Sequence, residues 1–367
     1  MDLTPTILDL ARKLTSPALI VDLGEVRRRY EAVRRALPGV AVYYAVKANP
    51  HPAVAGTLRE LGCGFEVSSV AELELALAAG AGGPGIISGN PVKTPDFVSR
   101  AHAAGVRGFA LDSPAEVAKL AKGASGTEVY ARVTVDNSGS EWPLSRKYGV
   151  GPVEAVELLA NARDAGLTPA GVTFHVGSQC VRAESWLDAL GVCREVFERA
   201  SGRGLDLTAL NLGGGLPVRH TRPIPDLDAV GSAVMAYLRE QFRPDLRVSV
   251  EPGRALVGEA AILVTTVIGV AERASERWVY VDAGVFNALM EATGGIRYEI
   301  VAERPGARAP CVLAGPSCDS VDVISSDALL PDVRVGDRLY VLNAGAYTLS
   351  YASSFNGFGP PEVVLLP

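Results

Sequence analysis

The segment Ala209-Leu210-Asn211-Leu212-Gly213-Gly214-Gly215 is a short apolar run that breaks into three glycines. An apolar run this short, closed by a turn signal, reads as a buried strand. Three glycines directly after it let the backbone approach an anion and aim successive N–H groups at it; the plainer alternative is a flexible turn. In a doubly wound sheet such glycines follow the first strand. Here six strand-like runs come before them, at Ala41–Val46, Phe65–Ser68, Gly85–Ser88, Gly108–Leu111, Val129–Val135 and Gly171–Val176, and one follows at Val248–Val250. Amphipathic, alanine-rich runs such as Val70–Ala79 and Pro152–Ala165 lie between them. Several open on capping or proline signals: Thr94-Pro95-Asp96, Asp112-Ser113-Pro114 and Gly151-Pro152. Eight strands alternating with helices over residues 24–254 predict an α/β fold, an eight-stranded TIM-like β/α barrel.

From Ala255 the pattern changes. Ala261–Val270, Arg277–Val281, Cys311–Ala314 and Arg338–Leu342 read as strands, with one helical stretch over Val285–Ala292. Residues 255–367 are therefore expected to form a β-domain, joined by an N-terminal segment, residues 1–23, that carries a strand at Ala18–Asp22. The chain has 367 residues, 48% of them hydrophobic, which is ample for two cores. Its formal net charge is −6, and the arginines at 27–29, 34 and 35 read as the solvated face of one helix, so no nucleic-acid surface is expected. The longest apolar stretch, Ala260–Ala271, is too short to span a bilayer, and no basic segment leads into an apolar run as in a signal peptide. Five cysteines without metal-ligand spacing and only four histidines point to the cytoplasm and to no protein metal site.

In such a barrel the chemistry gathers where the strands end. The first strand ends in Lys47, the second holds Glu66, the fifth carries Arg132, the sixth runs to His175, and the eighth runs into Glu251-Pro252-Gly253-Arg254. Lys47 reads either as a lysine snorkelling from a strand end or as an amine whose pKa an apolar mouth depresses for Schiff-base chemistry. Glu251 reads either as a strand-end carboxylate paired with Arg254 or as a carboxylate facing a pyridine nitrogen. His175 is either a core histidine or a flat ring for stacking. Arg254 offers a bidentate partner to an anion held by the glycines. Beyond the barrel, Cys318 and Asp319 sit in a tight Gly-Pro-Ser-Cys-Asp-Ser loop; a lone cysteine there is more often an apolar thiol than a catalytic one.

Seven ordered segments, YYAVKANP, FHVGSQ, NLGGG, EPGR, CDS, GAY and FNGF, resemble the ornithine/diaminopimelate/arginine decarboxylases, the fold-type III pyridoxal-phosphate enzymes. The likeness runs from about Thr15 to Pro360. The stretch Ser140-Glu141-Trp142-Pro143-Leu144-Ser145-Arg146-Lys147-Tyr148-Gly149 is similar to the bacterial ornithine and lysine/ornithine branch. The resemblance implies an enzyme that decarboxylates an L-amino acid with pyridoxal 5′-phosphate. It implies that Lys47 holds the cofactor, that His175 stacks on its ring and that Glu251 binds its nitrogen. Ser178, Gly213, Gly214, Gly215, Gly253, Arg254 and Tyr347 would hold its phosphate, with Glu66 and Arg132 supporting the ring. Cys318 would return the proton after carbon dioxide leaves, Asp319 would bind the distal amine of a basic substrate, and Phe355 and Asn356 would line the site. It further implies a homodimer with shared active sites, Cys318 and Asp319 reaching into the second subunit.

Two departures stand out. Glu66 occupies a position where many relatives carry Asp. The stretch Asn287–Tyr298 has Gly294-Gly295 where ornithine-type relatives offer a further acid, which leaves room for a modified or carboxylate-bearing amino acid, with Arg297 a candidate for a distal carboxylate. Two rival readings are an amino-acid racemase of the same architecture, against which Glu251 argues because such racemases set arginine at the ring nitrogen, and an inactive cofactor-binding relative, against which Lys47 and Cys318 argue.

Overall fold

The computed structural model describes residues 1–144 and 146–367; Ser145, within the branch-like stretch, lies outside the described residues. The chain divides into two compact units.

The first unit, Arg29–Pro217 with Ile224–Gly253, is the barrel. Its eight parallel strands, Ala41–Ala45, Gly64–Glu66, Ile86–Ser88, Gly108–Leu111, Glu128–Arg132, Thr168–Thr173, Ala209–Asn211 and Arg247–Val250, close on themselves in chain order. Each of the eight strand-like runs contributes one strand. The intervening helices begin where the capping signals predict. Thr94 accepts the Phe97 N–H at 3.3 Å and Ser113 the Glu116 N–H at 3.4 Å, each followed by proline in the first turn.

Parallel neighbours in register point the same way, so the pairings identify the barrel lining. Glu66 lies beside Ile87 and Ile87 beside Gly108. Ala110 lies beside Tyr130, Arg132 beside Thr173, Thr173 beside Asn211, Asn211 beside Ser249, and Ser249 beside Ala41. The alternate positions, including Tyr44, Phe65, Phe109, Val172 and Leu210, are fully buried in the layer between strands and helices. The hydrophobic core of this unit is thus an annulus, and its axis is lined by small and polar residues.

The second unit comprises Met1–Arg28, Val218–Pro223 and Arg254–Pro367. Ala18–Asp22 runs antiparallel to Ala261–Val264 and parallel to Glu362–Leu366. The long strand Ala261–Arg273 turns back into Glu276–Val281 and also pairs with Arg338–Val341. Ala309–Ala314 and Val323–Leu330 extend the sheet on the other side. A helix over Pro5–Ala11, absent from the sequence-based expectations, is capped by Thr4 and packs Ile7 and Ala11 on Ile20, Ile262, Val264 and Tyr340.

The helix expected over Val285–Ala292 does not form. Asn287 accepts the Gly284 N–H at 2.7 Å and donates to Asp282 O and Gly359 O, while Asp322 accepts the Val285 N–H at 2.7 Å. Gly284 O takes both the Ala288 and the Leu289 N–H, at 3.1 and 2.8 Å, so the chain closes a turn here instead of continuing a helix. Only a 3-10 turn at Met290–Gly294 remains. No helix among the described residues is long and apolar enough to cross a membrane.

Candidate active site

The rim of the barrel at the carboxyl ends of its strands brings together Lys47, Glu66, Arg132, His175 and Glu251. Lys47 sits on a 3-10 turn, Val46–Ala48, directly after its strand. The buried Tyr44 steadies that turn by donating its hydroxyl to Asn49 O at 3.0 Å. The Lys47 side chain is half exposed, and its ammonium pairs with the buried carboxylate of Glu66. An apolar mouth around this amine is therefore not what the fold provides; a carboxylate faces it. Glu66 also accepts the Gly89 N–H and the Ser68 hydroxyl, both at 3.2 Å.

Glu251 is buried. Its Oε1 accepts Nδ2 of Asn211 at 2.6 Å, and its backbone N–H donates to Gly213 O at 2.8 Å. Burial, reinforced by the nearby charge of Glu66, pushes its carboxyl up to about 7. Arg132, on the same lining, is buried as well, and desolvation lowers its pKa from the guanidinium's ordinary range. A Cβ at Gly89 would stand 2.6 Å from both Glu251 oxygens, so any larger residue there would have to displace the Glu251 carboxylate.

His175 follows its strand by two residues. Its Nδ1 accepts the Gly177 N–H at 3.0 Å, which leaves Nε2 to carry the proton of a neutral ring. Burial, then the charges of Arg132 and Lys47, hold its pKa well below the usual histidine value. The glycines crowd this ring and the neighbouring backbone. A Cβ at Gly213 (φ +63°) would lie 1.9 Å from Phe174 O, one at Gly214 would lie 3.1 Å from His175 Nε2, and one at Gly215 (φ +108°) would lie 2.4 Å from Gly177 O. The Gly213 N–H is already donated to Asn211 Oδ1 at 2.8 Å. The amides of Gly214 and Gly215, rather than all three, are therefore left for an anion. Ser178 opens a short strand paired with Ser140–Trp142.

The remaining candidates lie in the second unit. Arg254 is buried, pairs with the buried Glu291 and sets its guanidinium 5.0 Å from the Tyr347 ring centroid. Glu251 takes Asn211 and Arg254 takes Glu291, so the Glu251–Arg254 pair of the plainer reading is replaced by two others. Tyr347 adopts φ +65°, a conformation costly for a bulky residue and found where geometry is held for a purpose. His220 packs edge-on against Tyr298, with ring centroids 5.2 Å apart. Burial pulls its imidazole down to about 3.

Cys318 and Asp319 are exposed. The Cys318 N–H donates to Asn356 Oδ1 at 3.0 Å, and Asp319 accepts the Val321 N–H at 2.9 Å. Beneath this loop the buried Asp322 accepts the N–H groups of Val285 and Ser317. Phe355 rests on Phe286, with centroids 4.6 Å apart. Arg297 points to solvent and pairs with Asp327 at 2.7 Å.

Sequence reasoning missed Asn211, Gly89, Glu291 and Asp322. Asn211 stood inside the NLGGG segment, and its polarity in an apolar strand was the available signal. Gly89 and Asp322 gave none, because their partners come from distant parts of the chain.

Residues 23–258 match the family described as pyridoxal-dependent decarboxylase, pyridoxal binding domain. The chain is 37% identical to the lysine/ornithine decarboxylase of Selenomonas ruminantium over 355 residues, 95% of this chain and 89% of that protein. The solved structure of the lysine decarboxylase from Selenomonas ruminantium superposes with a TM-score of 0.92 at 35% identity, over 100% of this chain and 97% of the other. A lysine/ornithine decarboxylase from Vibrio vulnificus, solved with cadaverine, superposes with a TM-score of 0.91 at 31% identity, over 100% of both chains.

Proposed function

This chain belongs to the pyridoxal-dependent decarboxylases, and from that premise we propose that it removes carbon dioxide from a basic L-amino acid of the lysine or ornithine kind, or a derivative, leaving a di- or polyamine precursor. The observation that carries the reading is the rim pairing of Lys47 with Glu66 beside a second buried carboxylate, Glu251, fixed by Asn211.

The family's cofactor is pyridoxal 5′-phosphate, and these residues suit it. A buried carboxyl raised to about 7 is matched to a protonated ring nitrogen. A neutral His175 ring beside Gly214 suits a planar face, and the glycine turn excludes side chains where a phosphate would approach. When bound, the cofactor supplies an electron sink for the bond that breaks. Lys47 would hold it, Glu66 keeps the Lys47 amine in place, and Arg132 balances the carboxylates. Glu251 would hold a proton at the ring nitrogen. Gly214, Gly215, Ser178 and Gly253 are assigned to the phosphate, and by their motifs Arg254 and Tyr347 as well. Cys318 delivers a proton to the substrate α-carbon after carbon dioxide has left, Asp319 binds the distal ammonium, and Phe355 and Asn356 shape that part of the site.

We further infer a homodimer with shared sites. Support comes from the exposure of Cys318 and Asp319 together with Val321, Phe355 and Phe358, which are 55%, 42% and 37% exposed. Apolar groups in such number around functional residues mark a surface for a partner. Placement in the cytoplasm accords with five unpaired cysteines, four of them buried. Arg297, engaged with Asp327 at the surface, argues against recognition of a distal carboxylate through that residue. The test is carbon dioxide release by purified enzyme across ornithine, lysine, arginine, diaminopimelate and their derivatives. Stereoinversion without carbon dioxide would overturn the reading in favour of a racemase.

A further inference from the structure

A cavity of about 310 Å³ lies inside the barrel. Its lining includes residues from seven of the eight strands, so it occupies the barrel axis. Barrels of this kind ordinarily fill their axis with layers of Val, Ile and Leu. Here the register sets Ala41, Gly108, Ala110 and Ala209 around the cavity, and the branched aliphatic chains that line it are Ile87, Leu246 and Val248. The polar members form a ladder. At the amino-terminal mouth, where the strands begin, stand Tyr43, Tyr130 and Arg247. Arg247 pairs there with the half-exposed Glu128 at 2.9 Å. Further in are Ser249 and Thr173, neighbours on either side of Asn211. Asn211 then bonds Glu251, which closes the cavity at the rim end.

Thr173 Oγ1 is buried and has no protein partner. A buried hydroxyl without a hydrogen bond costs about 1–3 kcal/mol. A space of this size can accommodate several waters, each claiming about 30 Å³ of liquid volume, and polar groups at successive levels offer each of them partners.

We propose that the barrel axis holds a file of ordered water linking the Glu251 carboxyl to bulk solvent at the amino-terminal mouth, a proton route on the side of Glu251 away from Lys47. Glu251 faces Glu66, Lys47 and Arg132 at the rim. The axis gives it an exchange path that avoids these charges. Thr173 and Ser249 seat the water; the glycines and alanines keep the passage open. The water file follows from the lining alone. Its use by the ring nitrogen rests on the proposed pairing of Glu251 with the cofactor.

The experiment has three parts, all on the holoenzyme. A high-resolution crystal structure is expected to show waters on Thr173 Oγ1 and Ser249 Oγ, reaching hydrogen-bond distance of Glu251 or Asn211; a dry axis overturns the proposal. T173V is expected to leave thermal stability unchanged or lower it, because it strips a water-bonded hydroxyl. A clear rise in Tm would mean that the hydroxyl was dry and unpaired, and would overturn it equally. Finally, resonance Raman bands of the bound cofactor report conversion of ring N–H to N–D on mixing with D₂O. A110I, which fills the axis, is expected to slow this conversion by about tenfold or more, equivalent to about 1.4 kcal/mol on the barrier. Unchanged exchange in A110I with the waters displaced refutes the proton route. Waters present without any ring N–H band would refute the pairing of Glu251 with the cofactor while leaving the water file standing.

Discussion

At the barrel rim, Glu66 and Glu251 retain 1% and 7% of their surface, and their partners Gly89 and Asn211 are buried with them. At the Cys318 loop the candidate side chains stand in solvent; the buried support is Asp322, which takes two backbone N–H groups, while the exposed Asn356 takes a third. The rim groups come from one chain. Its two carboxylates are desolvated, mutually adjusted and costly to hold, as buried carboxylates are unless a cation answers them, while Lys47 is half exposed. The loop is rigid at its base and open at its tip, which is how a chain presents groups to a surface that it does not itself supply. The difference teaches that the two halves of the proposed chemistry answer to different perturbations. The rim depends on electrostatics inside one fold, the loop on what covers it.

The sharpest way to break that contrast is to disable one half at a time. K47A is expected to reduce turnover by about 10³-fold or more, as removal of a residue central to covalent catalysis does. Borohydride should fix a pyridoxyl group on the Lys47 peptide of the wild type and on no peptide of the variant. C318A should be similarly poor in turnover yet retain that label. If the loop serves a second subunit, mixing the two inactive proteins should restore activity, with about a quarter of the sites intact after free exchange within closed twofold dimers. Verified mixed dimers that stay inactive would mean that both halves work within one chain.

Glu251 tests the rim by itself. E251Q is expected to bind cofactor but lose about 10²–10³ in rate, the equivalent of about 2.7–4 kcal/mol of electrostatic stabilisation. The same variant has a signature in stability. The Glu251 carboxyl sits at about 7 in the folded chain against an ordinary value near 4.5, so the folded state holds this proton more tightly. Its contribution is present in full below the unfolded value and is lost as pH rises through the folded one, by at most about 3 kcal/mol. His220, held down at about 3 by burial, acts in the opposite sense and loses stability as pH falls below the ordinary histidine range. The difference between wild-type and E251Q apoprotein urea midpoints isolates Glu251, and it should grow as pH rises from about 5 to about 7 and then level off. A flat difference would remove the raised carboxyl from the account of the rim.

The same contrast governs what was legible in the sequence. The barrel could be read because each strand is a local apolar run and several helices open on a cap or a proline, and the rim residues because they end those runs. Lys47 was found this way, but its surroundings were not: the carboxylate that faces it comes from the next strand, and register decides that. Asn211 and Gly89 became functional candidates only when strands distant in sequence were laid side by side. The second unit was less legible for two reasons. Its strands are interrupted by register shifts, as between Cys311 and Leu313, so period-two patterns fail there. And the helical pattern at Val285–Ala292 gives way to turns anchored by Asn287, which donates to Gly359 O, and by Asp322, a carboxylate that lies 37 positions from the N–H it takes.

The smallest expected effect concerns the tip of the loop. Asp319 is exposed and already accepts the Val321 N–H through Oδ1, which orients the carboxylate without neutralising it. In the proposed shared site it meets the distal ammonium of a basic substrate. The second acid that ornithine-type relatives offer is missing at Gly294-Gly295, and the acid that does occur in that turn, Glu291, is buried against Arg254. On the proposed reading Asp319 is therefore the main anchor for the tail. D319N should keep the loop, because the amide oxygen still accepts from Val321, and should leave cofactor binding and its absorbance unchanged. It should lower kcat/KM for lysine and ornithine by roughly ten- to a hundredfold, the worth of about 1.5–3 kcal/mol for a charge-assisted hydrogen bond. Amino acids with neutral tails should suffer much less. Equal losses for basic and neutral substrates would show that Asp319 shapes the loop rather than reading the substrate's charge, and would move the search for the anchor elsewhere.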